Sequence, residues 1–403
     1  MALNLSLPTA DGRIERYTLT ELEPWRAPAK PIFNRIAFSA AHVVADARAA
    51  NDPWLDCSID WDTTIAYRHR LWSMGLGVAE AMDTAQRGMG LDWPTSLELI
   101  RRSLDAARDV PGALVASGCG TDHLAPDAAR NVDDVIRAYE EQMAAIEKLG
   151  GRLILMASRA LARVATSPAD YERVYDRLLR QAREPVILHW LGDMFDPALK
   201  GYWGSNDVDA AMATALAVIE AHPAKVDGIK ISLLDKDKEI AMRRRLPAAG
   251  GPDGHGVRMY TGDDFNYAEL IAGDGAGSAR AHGQSDALLG IFDAIAPAAS
   301  AALAKLAAGN ETRFHQILAP TVPLSRHIFR APTRFYKTGV VFMAWLNGHQ
   351  SHFVMVGGQQ STRSMPHFAE LFRLADAAGL IEQPALAARR MKALLALHGV
   401  HDA

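Results

Sequence analysis

Two cysteines stand in 403 residues, Cys57 and Cys119, with no CxxC pair and no Cys/His zinc spacing. That leaves no disulfide framework to expect and suits a reducing cytoplasm. Charge of one sign is not in excess: a formal net charge of -4 gives no electrostatic reason to expect nucleic acid or an anionic membrane as a partner. No apolar run reaches the ~18–20 residues of a membrane span. The opening MALNLSLPTADGRIERY meets Asp11 and Arg13 too early for the core of a signal peptide. The chain also lacks HxH and HExxH spacings, and no GxGxxG follows the first strand, so neither a compact metal motif nor a dinucleotide fingerprint is present. Internal repeats and low-complexity segments are missing too. These absences lead us to expect a cytoplasmic protein with no cofactor and no metal, acting away from nucleic acid and membranes.

What is present is an ordinary globular mix, 49% hydrophobic and 22% charged. Residues 1–32 alternate on both sides of Asp11-Gly12, which predicts a hairpin arm. From residue 33 short apolar stretches alternate with longer amphipathic ones. The strand candidates are 35–41, 77–84, 112–118, 152–158, 185–191, 226–234, 257–262 and 287–293. Helical patterns fill the gaps; WPTSLELIRRSLDAAR, for example, opens on Pro94 and Thr95 and carries apolar residues at helical spacing. Strand–helix alternation implies a parallel sheet, and eight units predict an α/β fold of the TIM-barrel type, (β/α)8, over 33–294. An open doubly wound sheet is the rival. Residues 295–403 show no strand pairing and are assigned to a C-terminal helical extension packed on the barrel. GGPDGHG (250–256) and GDGAGSARAHGQSD (273–286) read as loops, the second long enough to move.

In KVDGIKISLLD (225–235), Ile229, Ile231 and Leu233 share one side of an extended chain, and Gly228, Lys230 and Ser232 the other. Strand side chains in a barrel alternate between the helix layer and the lumen, so the apolar side suits the helices and Lys230 points inward. Burial disfavours the ammonium form, and a neutral amine attacks a ketone to form an imine, an electron sink for breaking a neighbouring bond. The alternative is a lysine that snorkels at the strand end or pairs with an inward carboxylate.

Other inward candidates accompany it. In PVILHWL, His189 shares a side with Ile187 and Leu191 and is a candidate proton carrier, or else a buried structural histidine. AMDTAQRG places Asp83, Thr84 and Gln86 at the C-terminal end of strand two, the face where barrel active sites form; a capping loop is the plain alternative. Asp263 and Asp264 end strand seven in YTGDDF, where a helix cap accounts for one of the two carboxylates. The expanded stretch GDMFDPALKGYWGSND offers Asp193, Asp196, Lys200, Tyr202 and Trp203 to a pocket rim, a composition suited to a polyhydroxylated ligand.

In this order the motifs resemble the dihydrodipicolinate synthase / N-acetylneuraminate lyase family of class I aldolases and dehydratases. IDWDTTIAYRHRLWSMGLGVAEAMDT looks like its first helix and second strand, and LDWPTSLELIRRSLDAA like its second helix. DGIKIS matches the Gly-Ile-Lys strand, and YTGDD the Ser-Gly-Asp-Asp end of strand seven. The likeness covers roughly residues 33–300, and more loosely the helical tail. It implies an imine at Lys230, substrate contacts from Asp83, Thr84, Gln86, Ser232 and Asp263, and a homo-oligomer, dimer or tetramer. Two departures stand out: His189 occupies the family's catalytic tyrosine position, and Met82-Asp83-Thr84-Ala85-Gln86-Arg87 replaces its Gly-Thr-Thr-Gly-Glu-Ser loop. Asp83 would repel a 2-oxo-acid carboxylate unless Arg87 offsets it.

The expected function is thus a Schiff-base-forming carbon–carbon or carbon–oxygen lyase acting on a small keto-acid or sugar-derived carbonyl compound. Two alternatives remain. One is a metal-dependent sugar aldolase or isomerase using ligands among His42, Asp83, His123, His189, Asp193 and Asp263. The other is a non-catalytic metabolite-binding barrel.

Overall fold

A computed structural model describes residues 3–274 and 283–401. Two strands, β1 (Asn4–Pro8) and β2 (Ile14–Thr18), pair antiparallel as the arm, turning at Gly12 with φ +84°. Leu5 and Leu7 are buried, and Tyr17 Oη donates 2.7 Å to Asp376, so the arm is fastened to the helix Met365–Ala377 of the C-terminal extension.

Eight further strands close a parallel barrel: β3 (Ala37–Ala40), β4 (Gly77–Glu80), β5 (Val115–Cys119), β6 (Arg152–Leu155), β7 (Val186–Leu191), β8 (Val226–Ser232), β9 (Arg258–Thr261) and β10 (Asp286–Leu289), with β10 pairing back onto β3. The fold is the expected (β/α)8 barrel with an N-terminal hairpin and C-terminal helices. Helix starts follow their caps: Asp60 accepts from Thr63 N at 3.0 Å, and Asp92 from Thr95 N at 2.9 Å, with Pro94 in the first turn.

Strand ends differ from the expected runs where the backbone turns. β4 stops at Glu80 because Ala81 takes φ +52°, and Asp83–Ala85 form a 3-10 turn. β10 ends at Leu289, and a helix starts at Ile291 where the sequence pattern extended the strand to 293. Of the loop expected over 273–286, residues 275–282 lie outside those described; β10 already begins at Asp286.

The lumen's lower half is solid. Phe38, Ala79, Ala116, Ile154, Ile187, Tyr260 and Leu288 fill it. Tyr260 leans over Gly228, where a Cβ would lie 2.7 Å from the ring, and its hydroxyl donates 2.6 Å to Asp227 at the barrel's base. The space left by Gly228 therefore belongs to the tyrosine. Outside the barrel, Arg68 of the helix Trp61–Ser73 meets Glu80 through two 2.9 Å bonds, and Ser103 Oγ donates 2.5 Å to the same carboxylate. This buried, fully bonded triad ties two helices to β4.

Candidate active site

Ile229 and Ile231 pack into the helix-facing core, so Lys230 between them faces the lumen, level with His189 on β7 and Tyr260 on β9. The tyrosine bends toward the base, which leaves the lysine above an apolar floor. Lys230 keeps 7% of its surface. Among the described residues its amine has no hydrogen-bond or ion-pair partner. Burial pushes its pKa below the usual lysine range, and the charges of Asp264 and Asp83 only partly oppose this. Gly262, just after β9, leaves room for the side chain: a Cβ there would fall 2.9 Å from Lys230 Cε and against Ser232 Oγ.

The two aspartates after β9 take different roles. Asp263 caps the following turn, accepting from Phe265 N at 2.8 Å, Asn266 N at 3.0 Å and Asn266 Nδ2 at 2.8 Å. Asp264 is the carboxyl that faces the lysine. It is 4% exposed and accepts from Ile291 N at 2.8 Å, and burial raises its pKa to about 7 despite that bond and Lys230. The cap uses both of Asp263's oxygens, and Asp264 is the one of the pair whose charge acts on Lys230.

His189 is 1% exposed, its Nε2 lies 3.4 Å from Ser232 Oγ and its Nδ1 has no partner. Burial, and secondarily the Lys230 charge, hold it well below the usual histidine range, so it is a neutral imidazole able to accept a proton. Thr84 Oγ1 shares a 2.8 Å hydrogen bond with Tyr336 Oη, which comes from the helix Tyr336–Leu346 of the extension. The Tyr336 ring is stacked on Phe329, centroids 4.3 Å apart, and is met edge-on by Phe195. Asp83 is half-buried beside these groups. Gln86 turns away: its Nε2 donates 2.7 Å to Val356 O and holds the β4 loop to the extension. Arg87 does not offset Asp83, because its guanidinium is engaged by Asp122, Gln142 and the Gly118 carbonyl.

A cleft of about 210 Å³ opens at the C-terminal ends of β4 to β7, lined by Asp83, Thr121, Met156, Arg159, His189 and Leu191 among others. Lys230 is in register with His189, which lines this cleft. The rim differs from the expected one. Tyr202 and Trp203 are 2% and 0% exposed, stacked among Tyr171 and Tyr175 in the helix layer, and Tyr202 Oη accepts 3.1 Å from Ser158 N. Apolar rings in that loop pack beneath it, and of the five side chains expected at the rim Asp196, paired with Arg159, is the one that lines the cleft. His42 bonds Asp293 at 2.7 Å and His123 bonds Gln142 at 2.9 Å. Among the described residues no three His, Cys, Asp or Glu side chains gather as a metal site.

Tyr336 was missed by sequence reasoning. The available signal was a polar side chain opening YKTGVVFMAWL, a helix buried on all sides.

A family model described as "Protein of unknown function (DUF993)" matches residues 5–400. No curated protein matches the chain. Solved structures share the fold. A putative dihydrodipicolinate synthetase from Pseudomonas aeruginosa is 15% identical with TM-score 0.60, over 85% of this chain and 99% of that one. YagE, a prophage protein of the dihydrodipicolinic acid synthase family from E. coli K12 in complex with pyruvate, is 13% identical with TM-score 0.64, over 87% and 100%. The dihydrodipicolinate synthase from Aquifex aeolicus is 11% identical with TM-score 0.62, over 86% and 99%.

Proposed function

Because the chain belongs to the family described as DUF993, whose description names no reaction, we propose its activity from the site: it is a Schiff-base-forming lyase that makes or breaks a carbon–carbon or carbon–oxygen bond next to a small substrate's carbonyl. The observation that carries this reading is Lys230, a lumenal amine with no hydrogen-bond or ion-pair partner among the described residues, in register with the cleft-lining His189 and near a carboxyl whose pKa is raised to about 7. The likeness to dihydrodipicolinate synthase structures agrees with it at the level of fold.

In this mechanism the neutral Nζ attacks the carbonyl carbon. The carbonyl oxygen takes up protons and leaves as water, and the nitrogen becomes a protonated imine. Asp264, with a pKa of about 7, can give and take a proton at this nitrogen or the departing oxygen. The neutral His189, on the cleft side, takes the proton released when the bond beside the imine breaks. Thr84 and Tyr336 orient a substrate oxygen; the phenol, held well above its usual range by burial, stays protonated and donates. Hydrolysis of the imine returns the amine. Asp83 faces the lysine, and Ser232 positions His189. Among the described residues no helix is long and apolar enough to cross a membrane. A cytoplasmic homo-oligomer completes the proposal, supported by two free cysteines and by Trp54 and Leu55, which are 77% and 74% exposed.

The test is a screen of small keto-acids and keto-sugars with borohydride, followed by intact mass. Hydride adds to the imine carbon and fixes the adduct as a secondary amine. Wild type is expected to gain one substrate mass, less one oxygen, and Lys230→Ala to gain nothing. A screen without an adduct in the wild-type protein would remove the reading.

A further inference from the structure

A second cleft, of about 500 Å³, shares no lining residue with the one at the barrel mouth. The hairpin arm supplies one wall through Thr9, Ala10 and Glu15. The rest comes from the helix Thr321–Ile328, from Arg330 just beyond it, and from the first turn of the helix Met365–Ala377. Ser364 is the N-cap of this 13-residue helix, and its hydroxyl makes no cap bond. The N–H groups of Met365 and His367 have no carbonyl within the helix to meet, and Pro366 carries none. The exposed Arg330 guanidinium has no partner among the described residues.

His367 is the observation that points to a ligand. It is 4% exposed, lines the cleft, and has no hydrogen-bond partner at either ring nitrogen. A buried imidazole left in that state is costly unless a further group bonds it. Its ring is stacked on His327, centroids 4.2 Å apart and 18° from parallel. His327 Nε2 donates 2.9 Å to the His367 carbonyl, so its Nδ1 is the nitrogen left to take a proton. Burial first, then the charges of His327, Arg363 and Arg330, hold His367 well below the usual histidine range. An anion placed among these groups opposes that field and lets the ring donate. Arg373 is engaged by Glu370 at 3.4 Å and by the Leu7 and Pro8 carbonyls, so it ties the arm's wall to the helix. The exposed Glu15 opposes an anion, which limits the fit to one phosphate rather than a chain of them.

We propose that this cleft binds a small phosphate monoester, its phosphate seated at the start of the helix Met365–Ala377 by Arg330, Ser364, the Met365 and His367 N–H groups and the His367 ring. A carboxylate offers two oxygens to these donors; a phosphate monoester offers three, and helix N-termini favour it. The volume of about 500 Å³ exceeds what the phosphate alone fills and falls in the range of about 300–1,000 Å³ typical of small-molecule sites, so the remainder of the ester lies between arm and extension. The site is independent of the chemistry proposed for Lys230.

Calorimetry on the full-length protein at fixed ionic strength tests it. The probes are glycerol 3-phosphate, adenosine 5′-monophosphate and inorganic phosphate, with glycerol and adenosine as phosphate-free controls. At least one ester is expected to bind saturably, and its phosphate-free counterpart not to bind. Arg330→Gln and His367→Phe should each weaken that ester at least tenfold, the second keeping a stacked ring while losing both nitrogens. Arg137→Gln, on the exposed face of another helix, should leave it unchanged. Urea midpoints check that the variants are folded, and Arg330 is exposed, so its variant stands as a test even if His367→Phe unfolds. Inorganic phosphate binding as tightly as both esters would overturn the assignment to an ester and leave the seat to the free ion. No saturable binding of any phosphate compound, or binding that survives both substitutions, would overturn the site itself.

Discussion

Thr84 Oγ1 and Tyr336 Oη lie 2.8 Å apart although 252 residues separate them in the chain. The first lies in the 3-10 turn after β4 and the second opens a helix of the extension, so the C-terminal helices are bonded to the loop that borders the proposed site. A helix that merely covered the barrel would not need a phenol aimed at a hydroxyl of the β4 loop.

Tyr336→Phe tests this. The ring contacts with Phe329 and Phe195 are retained, and the loss of one hydrogen bond costs about 1 kcal/mol of stability. The rate of adduct formation with a substrate found in the screen is expected to fall by ~10²-fold, within the range for a positioned proton donor. An unchanged rate would return Tyr336 to a packing role.

Asp264→Asn separates nucleophile from proton carrier. The aspartate's charge raises the lysine's pKa, so its removal moves the pH midpoint for trapping downward. Trapping persists, while turnover is expected to fall by roughly 10²–10⁴ because no carboxyl remains to shuttle protons. Stopped-time quenching with borohydride across a pH series measures both.

Gly262→Ala puts a methyl 2.5 Å from Ile231 O and 2.9 Å from Lys230 Cε. Overpacking of this kind costs about 1–3 kcal/mol. Urea unfolding should show the loss, and adduct formation at Lys230 should drop sharply because the amine is displaced.

Stability should fall as pH rises from about 4.5 to 8. Burial raises Glu239 from 4.5 to about 8 and Asp264 from 3.8 to about 7, so the folded chain holds protons that the unfolded chain has released. Glu239 accepts from Thr261 Oγ1 at 2.8 Å and Ser285 Oγ at 2.9 Å, bonds that an amide can also satisfy. Glu239→Gln is therefore expected to flatten the profile by on the order of a few kcal/mol at pH 9 relative to wild type. An identical slope in denaturant titrations at pH 5, 7 and 9 would contradict the assignment.

The alternation around Lys230 was readable because strand side chains keep a period of two, and a lysine opposite three branched apolar residues has one face left. The same rule placed His189 inward. A helix cap for one aspartate of the Asp263–Asp264 pair was legible; which one it was depends on the turn at Phe265, a three-dimensional matter. Tyr202 and Trp203 misled because aromatic residues in a loop look alike whether they face solvent or fold back under it. Tyr336 was hidden for a different reason. Its meaning comes from Thr84, and no local period encodes a contact across 252 residues.

The proposed chemistry depends above all on the protonation of one amine. Competitive acylation of Lys230 across a pH series, quantified by peptide mass spectrometry against the exposed lysines, measures it directly. The expected midpoint lies below the ordinary lysine value of about 10.4 and moves lower still in Asp264→Asn. Titration of Lys230 at or above that ordinary value would contradict it.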